Sequence, residues 1–194
     1  GHFVPRPRDL STMALFGLFT GKPPPPAAGA LYSALVAQAR HPAFYAALGV
    51  PDTPEGRFDM IALHGFLVLE RLSQLDPALS QTLFDMIFAD LDANLREMGV
   101  GDLMVGRRVK KLAQAFYGRS TAYREGLAAG DEALIRAIDR NLYAGVAASP
   151  AHLERMAAYL RREWESLAAQ GLEAILSPAF AFGPPPTSSV EETS

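Results

Sequence analysis

Apolar residues recur at intervals of three and four along most of this chain. No stretch alternates for long enough to suggest a strand. The spacing is clearest in Leu83–Met98, where Phe84, Ile87, Phe88, Leu91, Leu95 and Met98 share one face of an amphipathic helix. Upstream, Leu31, Leu35, Val36 and Ala39 predict a first helix. It should end near His41-Pro42, because the residue before a proline is disfavoured in the helical region. Phe44, Tyr45 and Leu48 follow as an aromatic connection. Phe58, Ile61, Ala62, Gly65, Leu69, Leu72 and Leu75 predict another helix; Leu63, Phe66 and Leu67 make it apolar on its remaining faces, which places it near the centre. Downstream, three further helices carry Val109–Leu127, Leu134–Val146 and Leu153–Leu167, with a short turn around Leu172–Leu176.

Local signals divide these helices. Thr53-Pro54, Asp76-Pro77 and Ser149-Pro150 each read as a capping side chain followed by proline at the first helical position, and Asp131 reads as a further cap. Gly99 is a helix stop, followed by a loop holding Gly101, Asp102 and Gly106. Gly118 predicts a bend or a close approach inside the next helix. The fold expected is all-α, a single-domain bundle of about six or seven helices spanning 30–182. Residues 1–29 read as a flexible N-terminal segment, of which 1–12 look tag-derived, with Met13 as the natural start. In Met13–Phe19, Leu15, Phe16, Leu18 and Phe19 could enter a membrane interface, and Pro23–Pro26 form an extended spacer. Residues 183–194 are expected to be disordered.

Composition narrows the function. At 194 residues, 49% hydrophobic and 20% charged, the chain suits one globular domain with a sizeable core. A net charge of −3 excludes a general affinity for nucleic acid, so any anion binding must be local, and no DNA partner is expected. With no cysteine, the chain has no disulfide, thiolate nucleophile or cysteine metal site. Met60–Leu69, an apolar run interrupted by His64, falls far short of the roughly 20 residues of a membrane span, and there is no secretory signal pattern.

No catalytic constellation rises above background. Asp85 and Asp92 share a helix stripe, but the Glu-x-x-His pairs of a di-iron bundle and the His-Glu-x-x-His zinc motif are both missing, so no metal is expected. The glycines at 99, 101 and 106 follow a helix and match no phosphate loop. No serine sits in a Gly-x-Ser-x-Gly elbow, and neither cofactor nor small-molecule substrate is implied. His64, with Asp59 as neighbour, is the best-placed acid–base candidate, although a histidine among Leu63, Phe66 and Leu67 is more often structural. An α-helical lipid- or quinone-binding protein is the alternative, and needs an apolar cavity of about 300 Å³ or more.

Charge is what remains. Asp85, Asp92 and Arg96 line one flank of the Leu83–Met98 helix; Asp90, Asn94 and Glu97 line the other. The chain then turns basic at Arg107, Arg108, Lys110 and Lys111. Read as the opening of a helix, these cations oppose its macrodipole and require compensation. Either Glu97 and Asp102 neutralise Arg107 and Arg108, or a partner does. Arg96 follows Asp92 at the spacing of an intrahelical ion pair.

Several motifs here are not generic helix sequence: VPDTPEGRFD (50–59), DLDANLREMGVGD (90–102), FYGR (116–119) and RNLY (140–143). With the segments around them they resemble the ubiquinol–cytochrome c chaperone family over most of Leu31–Tyr143. The resemblance implies a non-enzymatic assembly factor that binds cytochrome b in a nascent or early form and supports biogenesis of the respiratory ubiquinol–cytochrome c reductase. It implies a bacterial member, cytoplasmic and peripheral to the inner membrane, with the ribosome as a further contact; the basic turn itself could meet an anionic membrane surface or ribosomal RNA. No catalytic residue carries over. Asp90, Asp92, Arg96, Glu97, Asp102, Lys110, Tyr117 and Arg119 are candidate interface positions by the resemblance, and Arg107, Arg108 and Lys111 join them from the charge pattern.

Overall fold

A computed structural model describes residues 24–186, and the described residues form helices and no strand. In chain order these are α1 (Pro26–Ala39), α2 (Pro42–Ala46), α3 (Pro54–Leu75), α4 (Pro77–Glu97), α5 (Asp102–Ala129), α6 (Asp131–Leu142), α7 (Pro150–Ala169) and α8 (Leu172–Ile175). Six of them have 12 or more residues, in keeping with the bundle expected.

The apolar helix α3 forms the axis. Every residue from Phe58 to Glu70 is buried, and α1, α4, α5, α6 and α7 all pack on it. Its start is fixed as the sequence predicts: the Gly56 amide donates to Thr53 Oγ1 at 3.1 Å. Asp76 caps α4 through Leu79 N (3.0 Å), and Ser149 caps α7 through His152 N (3.1 Å). Each cap satisfies an amide the helix itself leaves free. Gly99, at φ 79°, closes α4 in the left-handed region.

Elsewhere the elements depart from the expectation. Helix α1 begins at Pro26, ahead of residue 30, since proline is well suited to a first helical turn. The aromatic connection after α1 contains the short helix α2, capped by His41 Nδ1. Asp131 is not a cap: Gly130, at φ 107°, makes the one-residue link between α5 and α6, and Asp131 instead pairs with Arg161 at 2.8 Å. Helix α5 starts at Asp102 and includes Gly106, so the expected loop shrinks to Gly99–Gly101. Gly118 lies within the unbroken helix α5 and meets no neighbour; an added Cβ there would find nothing within 4 Å. The close approach falls at Gly126, where a Cβ would lie 2.8 Å from Leu134 Cα of α6.

The expected boundary at 183 also falls inside ordered chain. After α8 the backbone runs as a strap back over the bundle. Phe182 sets its ring edge-on to His64 at 5.2 Å. The Gly183 amide donates to Glu163 Oε2 (3.0 Å), and its carbonyl accepts from Gln38 Nε2 (2.9 Å). The strap thus closes over α1, α3 and α7.

Candidate partner-binding surface

The charged residues singled out from the sequence separate into two groups. The first is used up internally. Arg96 donates to Asp92 (2.7 Å), as the four-residue spacing predicts, and also to Asp102. Asp102 is therefore spent on Arg96 and does not neutralise Arg107 or Arg108. Asp90 accepts from Asn94 Nδ2 (3.1 Å). It also lies beside Tyr32 of α1, whose hydroxyl is pushed to a higher pKa by burial first and by hydrogen bonding to Asp90 second. Arg119 reaches inward: its Nη2 lies 2.7 Å from Asp59 Oδ1, at ion-pair distance but off hydrogen-bond geometry, and its guanidinium covers the Phe58 ring. Tyr117 is half-buried, stacked on Phe84 at 5.5 Å, with its pKa raised by burial and then by Asp85.

The second group is free. Glu97, Arg107, Arg108, Lys110 and Lys111 are exposed, and none makes an ion pair among the described residues. The expected conflict with the macrodipole does not arise. Arg107 is the sixth residue of α5, the dipole's influence fades within the first turn, and Asp102 occupies that turn. The cations are thus neither compensated nor in need of compensation. They stand as an open basic face near the end of the α4–α5 hairpin. That end also exposes Met98, the last residue of the apolar stripe read from the sequence, because the stripe continues past the bundle's core. The membrane-contact candidates Leu15, Phe16, Leu18 and Phe19 lie outside the described residues.

Among the described residues, His64 and Asp59 do not form the acid–base pair considered from the sequence. His64 donates from Nδ1 to the Met60 carbonyl (2.8 Å) and accepts at Nε2 from the Tyr159 hydroxyl (2.8 Å). Tyr159 in turn accepts from Gln38 Nε2. Full burial pushes the imidazole down to about 4, so it stays neutral with both nitrogens occupied. Asp59 is turned toward Arg119 rather than His64, and burial, partly countered by Arg119, lifts its carboxyl to about 6. The expected His64–Asp59 pair is therefore not assembled. The cleft lined by Phe66, Leu69, Glu70, Phe116, Tyr117, Ser120 and Arg124 has a volume of about 20 Å³, room for a water and far below what a quinone needs. No group of three or more metal-ligating side chains occurs among the described residues.

One pair escaped the sequence reading. Glu70, buried in the apolar helix α3, holds Arg124 of α5 in a fork, Nε to Oε1 at 3.0 Å and Nη2 to Oε2 at 2.7 Å. An acid on an otherwise apolar helix was itself the signal, since a carboxylate is rarely buried without a partner. With Asp59–Arg119 it ties α5 to α3.

Comparison with known proteins adds a second line of evidence. A family model described as "Ubiquinol-cytochrome C chaperone" matches residues 46–182. The ubiquinol-cytochrome-c reductase complex assembly factor 1 of Xenopus laevis is 24% identical over 140 residues, covering 71% of this chain and 70% of that protein. The Homo sapiens protein of the same name is 24% identical over 149 residues, and the chain spans half of its length. The crystal structure of the Cbp3 homolog from Brucella abortus is similar at a TM-score of 0.73 and 38% identity, over 82% of this chain and 90% of that one.

Proposed function

We propose, from the premise that the chain belongs to the ubiquinol–cytochrome c chaperone family, that it assists assembly of the ubiquinol–cytochrome c reductase by holding cytochrome b in a nascent or early form. The family is one of chaperones, not enzymes. The observation that carries the reading is the extent of the family match, which runs from the end of α2 through the strap at Phe182. The relatives named as assembly factors of that complex support it.

The geometry agrees in kind. A holding protein needs rigid, accessible surface and no nucleophile. Here the charged network ties the bundle together, and the end of the α4–α5 hairpin is left free to engage a partner. Among the described residues no helix is long and apolar enough to cross a membrane. The proposed place of work is the cytoplasmic face of a bacterial inner membrane, reached peripherally, and the likeness to the Brucella abortus homolog supports a bacterial setting. Deletion of the gene in its host tests the reading. Cytochrome b and the assembled complex should both fall while their transcripts persist; normal levels of both would refute it.

A further inference from the structure

The hairpin end combines two features that are seldom exposed together. Met98 is 69% exposed, Leu103 88% and Met104 47%. These are the large apolar residues at the turn between α4 and α5, and they lie beside the four unpaired cations. The main core cluster thins before this point: Phe88 is its last residue on α4, and on α5 Val105 is the one buried side chain ahead of Ala113. At about 1.5 Å per residue, Met98 stands about 15 Å beyond Phe88 along the helix axis. At about 3.6 residues per turn, Leu103, Met104, Arg107 and Lys111 fall on the side of α5 away from the buried Val105, Ala113 and Phe116, and the exposed Arg108 and Lys110 stand on its two flanks.

We infer that this end of the hairpin is a lipid-docking device: Met98, Leu103 and Met104 enter the headgroup–acyl boundary, and Arg107, Arg108, Lys110 and Lys111 hold anionic headgroups. This deepens the reading above and rests on the same surface. Three observations select a bilayer over a client helix. The surface is a projecting tip, whereas a helix is received in a groove. The order along α5 matches the layers of a bilayer: apolar residues come first and cations follow three to eight positions later, roughly 4–12 Å back along the axis. An interfacial apolar group sits about 5–10 Å deep, which leaves those cations at headgroup level. The acids nearby do not cancel them, because Asp92 and Asp102 are held by Arg96, leaving Glu97 as the free acid of the turn. On a chain of net charge −3, attraction to an anionic surface depends on such a local cluster.

Vesicle co-sedimentation of the full chain tests this, using phosphatidylcholine alone and phosphatidylcholine mixed with phosphatidylglycerol. The intact protein should bind the anionic vesicles and not the neutral ones. Each cation replaced, as in Arg107→Gln or Lys111→Gln, should weaken binding about fivefold. Leu103→Ser with Met104→Ser should leave weaker binding that moderate salt abolishes, since only the screened component remains. These positions are exposed, so the variants should fold, and circular dichroism checks that they do. No binding to anionic vesicles, or binding unchanged in both sets of variants, would overturn the proposal; the second result would place lipid contact in residues 1–23. Capture of cytochrome b in detergent separates the two readings. Variants that lose lipid but keep the client support the device, whereas variants that keep lipid and lose the client overturn it in favour of a client site.

Discussion

Two glycines on α5 give opposite predictions for one substitution. Gly118→Ala replaces an exposed residue in the middle of a 28-residue helix, and the new Cβ meets nothing within 4 Å. Alanine is favoured over glycine in a helix interior by about 1 kcal/mol, so the protein should be stabilised by about that amount. Gly126→Ala gains the same intrinsic preference, but its Cβ would sit 2.8 Å from Leu134 Cα and 3.2 Å from Leu134 N. Both are backbone atoms that no rotamer change can move, so α5 and α6 must separate. Overpacking of this kind costs about 1–3 kcal/mol, and a backbone obstacle puts it at the upper end. The net effect should be destabilisation of about 1–2 kcal/mol. For a domain of this size, each kcal/mol moves Tm by about 2–4 °C. Thermal unfolding followed by circular dichroism should therefore move in opposite directions for the two variants, by at least about 4 °C between them. If Gly126→Ala is as stable as Gly118→Ala, the α5–α6 contact is not as described.

Further outcomes follow from the buried polar groups. His64, held at about 4 against 6.5 when free, refuses a proton that the unfolded chain accepts, so its contribution is present above pH 6.5 and lost as pH falls toward 4. Asp59, raised from 3.8 to about 6, acts oppositely: its contribution is present below pH 3.8 and lost as pH rises through 6. Each amounts to about 3 kcal/mol and the two nearly offset, so Asp59→Asn should make stability fall more steeply from pH 6 to 4 than in the unaltered protein, as read from urea midpoints. Glu70→Gln leaves Arg124 facing a neutral amide and should cost about 2 kcal/mol, less than a fully buried pair because Arg124 is 27% exposed; adding Arg124→Met should recover much of it. Phe182→Ala uncovers the imidazole edge, and NMR titration should show the His64 pKa rising from about 4 toward 6.5.

Much of the fold was legible because it is written locally. The caps at Thr53, Asp76 and Ser149 need only neighbouring residues, and the burial of α3 follows from its being apolar on every face. The pairing of charges is not local. Arg119 reads as a free interface residue until Asp59, sixty positions earlier, is brought against it. Likewise Gly118 and Gly126 look alike in sequence, and only the path of α6 distinguishes them. Placing the start of α5 five residues late created a macrodipole conflict that the helix does not have. The strap was missed because Gly183 and the prolines after it offer little apolar surface, and its anchors are backbone hydrogen bonds to Gln38 and Glu163. The candidate surface was half visible: the four cations were evident, but the exposed apolar turn beside them was hidden by a periodicity that made Met98 look like core.

The central claim is that the chain holds cytochrome b before the complex is complete, and the most direct measurement is what it retains in the cell. Affinity purification of the tagged full chain after brief labelling of new protein should recover labelled cytochrome b, in excess over the other subunits of the complex and over fully assembled enzyme. Recovery of no labelled cytochrome b, or of cytochrome b only within mature complex, would contradict the account.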